Sequence, residues 1–107
     1  MHTTSTYTSR AEVMKALAHP SRLMMLDALA DGEKCVCELQ ALVGSSMPTV
    51  SNHLAQMRNA GIIAARREGN WIYYRLLVPC VLKLFQCIDA VLVSEAERMA
   101  QALGETE

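Results

Sequence analysis

The stretch that decides the fold is Val36-Cys37-Glu38-Leu39-Gln40-Ala41-Leu42-Val43-Gly44-Ser45-Ser46-Met47-Pro48-Thr49-Val50-Ser51-Asn52-His53-Leu54-Ala55-Gln56-Met57. Val36, Leu39, Leu42 and Val43 recur at helical spacing and predict a helix over about 35–43. Gly44 ends it, glycine being the usual left-handed cap. Ser45 and Ser46 make the turn, and Ser46 caps a second helix over about 47–60. Val50, Leu54 and Met57 form the inner stripe of that helix at i, i+4 and i+7. Pro48, Thr49, Ser51, Asn52, His53 and Gln56 are then read as facing outward. They are short and mostly polar groups suited to base edges and phosphates. Helix, tight turn and helix is the order in which the second member enters a major groove.

Downstream, Gly61 closes the second helix and the apolar period falls from 3.6 to about two. Residues 62–67 and 71–77 read as strands, joined by Glu68-Gly69-Asn70. Glycine and asparagine at the tip fit a hairpin, and Trp71, Tyr73 and Tyr74 favour strand. Upstream, Ser9-Arg10-Ala11-Glu12 reads as a capping box opening a helix over about 10–18. Pro20 starts another over about 20–30, which Asp31-Gly32 ends. Residues 1–8 read as a flexible arm, and 9–104 as one domain for DNA binding and dimerisation. The fold class is mostly α with a small β-hairpin: a winged helix-turn-helix.

Pro79 opens a last helix over about 80–103. One seam holds Val81, Phe85, Ile88, Leu92, Met99 and Leu103; a second stripe holds Cys80, Leu84, Cys87 and Val91. Two stripes exceed what one small domain buries, so one is expected on its own subunit and the other on a twin. No apolar run reaches the roughly 18 residues of a spanning helix. The polar N-terminus has no signal-peptide core, so the protein reads as cytoplasmic. No nucleophile triad, phosphate-binding glycine loop or carboxylate pair stands out, so an enzyme is not expected.

The net charge of −1 hides an asymmetry. Residues 44–76 carry Arg58, Arg66, Arg67 and Arg75 against Glu68, a net of +3, while residues 77–107 carry a net of −3. The basic segment would face phosphates. Arg58 and the wing residues Arg66 and Arg67, with Arg22 as a further source, would supply the charge that the reading helix lacks.

Several runs together resemble the ArsR/SmtB family of repressors. They are Ala18-His19-Pro20-Ser21-Arg22-Leu23, Cys35-Val36-Cys37-Glu38-Leu39, Met47-Pro48-Thr49-Val50-Ser51-Asn52-His53-Leu54, Ala60-Gly61-Ile62-Ile63, and Arg66 through Leu76. The resemblance covers roughly residues 10–90. It implies a homodimer formed by the first and last helices, bound to an inverted-repeat operator in double-stranded DNA. It also implies release from DNA by an inducer: arsenite, antimonite, cadmium, lead or zinc in some members, oxidants or reactive sulfur in others.

Four cysteines in a reducing compartment point to metal or redox chemistry rather than a disulfide framework. On a regular helix Cys35 and Cys37 would point about 200° apart. Two sulfurs on one zinc-like ion, at about 2.3 Å each, must lie within roughly 4 Å. The pair would therefore chelate only with the first helical turn unformed or unwound. A helix N-terminus is also expected to lower a thiol pKa. Where the resemblance implies a third cysteine, this chain has Gln40. Cys87 is the preferred substitute and Cys80 the second, with His2 a weak candidate. Residues 80–103 hold no histidine, so the family's other metal site is not expected. His19 reads as structural. Soft donors favour As(III), then Sb(III), with Cd(II) and Pb(II) also open. A reversible disulfide or polysulfide is the alternative switch.

Overall fold

The structure, a computed structural model, describes residues 3–105. Its elements run α1 (Thr4–Leu17), α2 (Pro20–Leu29), β1 (Lys34–Cys35), α3 (Val36–Val43), α4 (Met47–Asn59), β2 (Ile63–Glu68), β3 (Trp71–Leu76) and α5 (Val81–Glu105). Helix-turn-helix and hairpin stand where the periodicity placed them, so the winged helix-turn-helix is observed. No helix among the described residues is long and apolar enough to cross a membrane.

Two differences from the sequence reading have local causes. α1 begins at Thr4, because Thr3 acts as N-cap and accepts the Thr6 N–H at 3.3 Å. The expected capping box at Ser9 and Glu12 lies inside the helix, and the arm expected over residues 1–8 is helical from Thr4. No proline or glycine between Thr4 and Leu17 interrupts it. Residues 1 and 2, including His2, lie outside the described residues.

The second difference is β1. Lys34 pairs with Tyr74 and Cys35 with Tyr73, giving a three-stranded antiparallel sheet in the order β1-β3-β2. Two residues carry no alternation that a period could reveal, so the strand is set by its partner. Cys35 is extended, with φ −69° and ψ 148°, and α3 starts one residue later than expected.

Between β2 and β3, Gly69 takes φ +62° and no non-glycine residue among those described has positive φ, the pattern of a type II′ turn. Gly44 caps α3 in the left-handed region at φ +78°. It aims α4 away from α3 through Ser45 and the N-cap Ser46.

The core is built where α2, α3, α4 and the sheet meet. Met25, Leu26, Leu39, Val50, Leu54, Met57 and Ile63 are fully buried. Each such side chain contributes about 1.5–3 kcal/mol from burial. On α2, Met25, Leu26 and Leu29 face the core, while Leu23 is half-buried and Ala30 exposed.

α5 divides lengthwise rather than stripe by stripe. Val81, Leu84 and Phe85 pack against the core, whereas every residue from Gln86 to Gly104 is exposed. Both expected stripes leave the domain beyond that point. The helix extends the molecule to 64 Å along its longest axis.

Candidate DNA interface and thiol pair

Ser46 accepts the Thr49 N–H at 3.4 Å and donates to its hydroxyl at 3.0 Å, fixing the start of α4. Pro48 in the first turn lacks the N–H that a helix start leaves unused. Along α4, Pro48, Thr49, Ser51, Asn52, Gln56 and Arg58 are exposed, as the stripe of Val50, Leu54 and Met57 requires. Arg67 is exposed on β2.

His53 corrects the outward assignment. It is only 7% exposed. Its Nδ1 accepts from Arg22 Nε at 2.9 Å, and its ring lies 4.3 Å from that of His19, centroid to centroid. Three positions after Val50, a helical residue sits only about 60° from the inner stripe, so the wheel itself places His53 inward. Its polarity, not its angle, suggested otherwise. Burial, then the charges of His19 and Arg22, lower its pKa from 6.5.

Arg22 also makes hydrogen bonds within the protein. Beyond His53, its Nη1 donates to the Ala16 carbonyl at 3.2 Å, so it ties the end of α1 to α4. His19 caps α2, its Nδ1 accepting the Ser21 N–H at 3.0 Å, which is a structural part.

Arg66 is engaged on the protein rather than presented freely. Its Nε and Nη2 meet the Glu33 carboxylate at 2.6–3.0 Å. Its Nη1 donates to Glu68 at 2.7 Å. The guanidinium also lies 4.7 Å over the Tyr73 ring. Hydrogen bonding by Arg66 lowers the Glu33 pKa, and Glu33 with Glu68 raises that of Arg66. Glu33 was not among the sequence candidates; nothing in its local pattern announces a partner 33 residues away.

The cysteines separate into a pair and two singles. Cys35 is buried, whereas Cys37, Cys80 and Cys87 are exposed. The Sγ atoms of Cys35 and Cys37 are 2.6 Å apart. The expected conflict between helix and chelation does not arise, because Cys35 precedes α3. Cys35 serves as the N-cap: its Sγ accepts the Cys37 N–H at 3.4 Å, and Glu38 accepts the Cys35 N–H at 3.2 Å. This is a capping box with sulfur in the hydroxyl position.

The expected lowering of thiol pKa is reversed at Cys37. The hydrogen bond with Cys35, aided by desolvation, raises it above the ordinary value. Cys80 precedes α5 and Cys87 lies on it; among the described residues no three His, Cys, Asp or Glu side chains gather for one ion. Neither cysteine therefore completes a trigonal site with the pair within one chain.

A family model described as "Bacterial regulatory protein, arsR family" matches residues 19–65. The arsenic resistance transcriptional regulator ArsR1 of Pseudomonas putida is 51% identical over 65 residues, covering 60% of this chain and 51% of that one. The crystal structure of the AntR antimony-specific transcriptional repressor is similar at TM-score 0.71 and 38% identity, over 90% of this chain and 86% of that one. The solution structure of a homodimeric winged helix-turn-helix DNA-binding domain from Mycobacterium bovis, a possible ArsR-family regulator, matches at TM-score 0.72 and 35% identity, over 88% and 87%. The family model spans the helix-turn-helix, and relatives at 35% and 38% identity match over most of their length. The chain therefore belongs to the arsR family of bacterial regulatory proteins and is a winged helix-turn-helix transcription regulator, not an enzyme.

Proposed function

We propose that the chain is a dimeric, cytoplasmic repressor that leaves an inverted-repeat operator when As(III) or Sb(III) bonds to Cys35 and Cys37. The observation that carries the inducer is the 2.6 Å contact between those sulfurs, with Cys37 open to solvent. It satisfies the roughly 4 Å limit for two thiolates on one soft ion. Similarity to regulators named for arsenic and antimony supports the same chemistry. Cd(II) and Pb(II) suit the same donors.

Arsenous acid reacts without redox change. Two As–S bonds form, and two hydroxides leave as water with the two thiol protons. The third position keeps hydroxide, or loses it as a third water to the thiol of Cys87 or Cys80 from a second copy of the chain. The raised pKa of Cys37 is no obstacle, because its proton departs in the water. Bonding at Cys35 also engages the atom that caps α3, the helix that positions α4. The exposed faces of Pro48, Thr49, Ser51, Asn52 and Gln56 supply base and phosphate contacts, with Arg58 and Arg67 on the backbone.

The test is titration of the reduced protein with sodium arsenite, followed by thiolate–metalloid absorption and operator release. The native protein releases the operator, while Cys35→Ser and Cys37→Ser hold it. Release by both variants at the native arsenite concentration would refute the assignment. The same sulfur contact also favours disulfide formation by a two-electron oxidant such as peroxide. Release by peroxide with none by arsenite selects that reading.

A further inference from the structure

Cys35, Tyr73 and Arg66 occupy one row across the sheet. Cys35 pairs with Tyr73 on one side of β3, and Tyr73 pairs with Arg66 on the other. Directly opposed residues of an antiparallel pair project from the same face. The Arg66 guanidinium lies over the Tyr73 ring at 4.7 Å and turns back to Glu33, two residues before Cys35. The row is thus closed into a loop: Cys35 to Tyr73 through the backbone ladder, Tyr73 to Arg66 through ring and cation, Arg66 to Glu33 through a two-point ion pair, and Glu33 to Cys35 along the chain. The ion pair has the fork geometry that only arginine offers a carboxylate. Its Glu33 side is 29% exposed, so water screens it incompletely.

We propose that the wing is a second output of the thiol pair, and that Arg66 is a positioning residue held by Glu33 rather than a primary DNA contact. The proposal rests on the thiol reading above. Two bonds to one metalloid need the sulfurs further apart than 2.6 Å, up to roughly 4 Å, so loading pushes Cys35 away from Cys37 and displaces β1, an edge strand of the wing sheet. Glu33 moves with it and turns Arg66 and the hairpin. The operator then loses contact at two places, the reading helix and the wing. The charge of Arg66 is already matched by Glu33 and Glu68, which leaves Arg67, exposed as well, as the β2 cation outside that cluster.

The sequence contains one tryptophan, and it is Trp71 at the wing tip, opposite Glu68. Its emission therefore reports the wing without a label. The experiment titrates the full-length, DNA-free protein with sodium arsenite and follows thiolate–metalloid absorption and Trp71 emission together. In the native protein both change with one midpoint. In Glu33→Gln the absorption midpoint stays within twofold, and the emission change falls by at least half. The ratio of operator affinity before and after arsenite falls at least threefold. A charge swap, Glu33→Arg with Arg66→Glu, restores at least part of the emission change. A merely structural role for the ion pair would lower stability and leave this ratio alone.

Arsenite loading and operator release with silent Trp71 in the native protein overturn the proposal. So does a Glu33→Gln protein whose emission and affinity ratio match the native ones. No absorption change in the native protein refutes the thiol reading itself, and the wing output with it.

Discussion

His53 is the residue whose polarity and position disagree. It lies under α4 as a neutral acceptor for Arg22, against a second imidazole. Protonation would set its Nδ1–H against the Arg22 donor and place a cation beside His19 and Arg22. Its folded pKa lies below 6.5, so the unfolded chain takes up the proton first. The stability from this site is complete above 6.5 and is lost as pH falls from there through the lowered value. We expect the urea midpoint of the native protein to fall between pH 7.5 and 5.5 by more than that of His53→Gln. Glutamine accepts from Arg22 without titrating. Equal slopes for the two proteins would remove His53 from the pH response.

At the scale of elements, two chain reversals set where the reading helix points. The first is Gly44 at φ +78°, where an added Cβ meets no atom within 4 Å. The cost of substitution is therefore backbone strain alone, about 1 kcal/mol for Gly44→Ala. Asparagine tolerates the left-handed region better, so Gly44→Asn loses less. Chemical denaturation of the two variants checks the order. The second reversal is Cys35, which leaves the sheet and caps α3 in one residue. Serine is the better capping residue by type, so Cys35→Ser keeps α3 folded while removing a ligand. Unchanged far-ultraviolet dichroism of that variant, alongside its loss of arsenite response, separates ligation from folding.

At the scale of the whole molecule, α5 leaves an apolar face outside the domain. Val91 and Leu92 are 66% and 62% exposed, and Met14 on α1 is 60% exposed. An apolar groove of about 160 Å³ lies between α1, α2 and α5, lined by Met14, Leu17, Leu23, Leu84, Phe85 and Ile88. Apolar surface this continuous marks an interaction site, and in the proposed dimer the same two helices of a second copy would cover it. Val91→Glu and Leu92→Glu are expected to shift the protein to monomer in sedimentation. Operator affinity should fall at least tenfold with the dichroism unchanged, since neither side chain packs within its own domain. Dimers persisting in both variants would place the interface elsewhere.

The chain by itself determined the helix-turn-helix, the hairpin and the inner stripe of Val50, Leu54 and Met57. Each is a local matter: period, cap or turn residue. Tertiary structure alone decided that Lys34-Cys35 is a strand, because two residues become β only by hydrogen bonding to Tyr73 and Tyr74. It also decided that His53 and Arg22 face each other, and that Arg66 meets Glu33. Those contacts join residues 31 and 33 positions apart, and no periodicity reaches across such a gap.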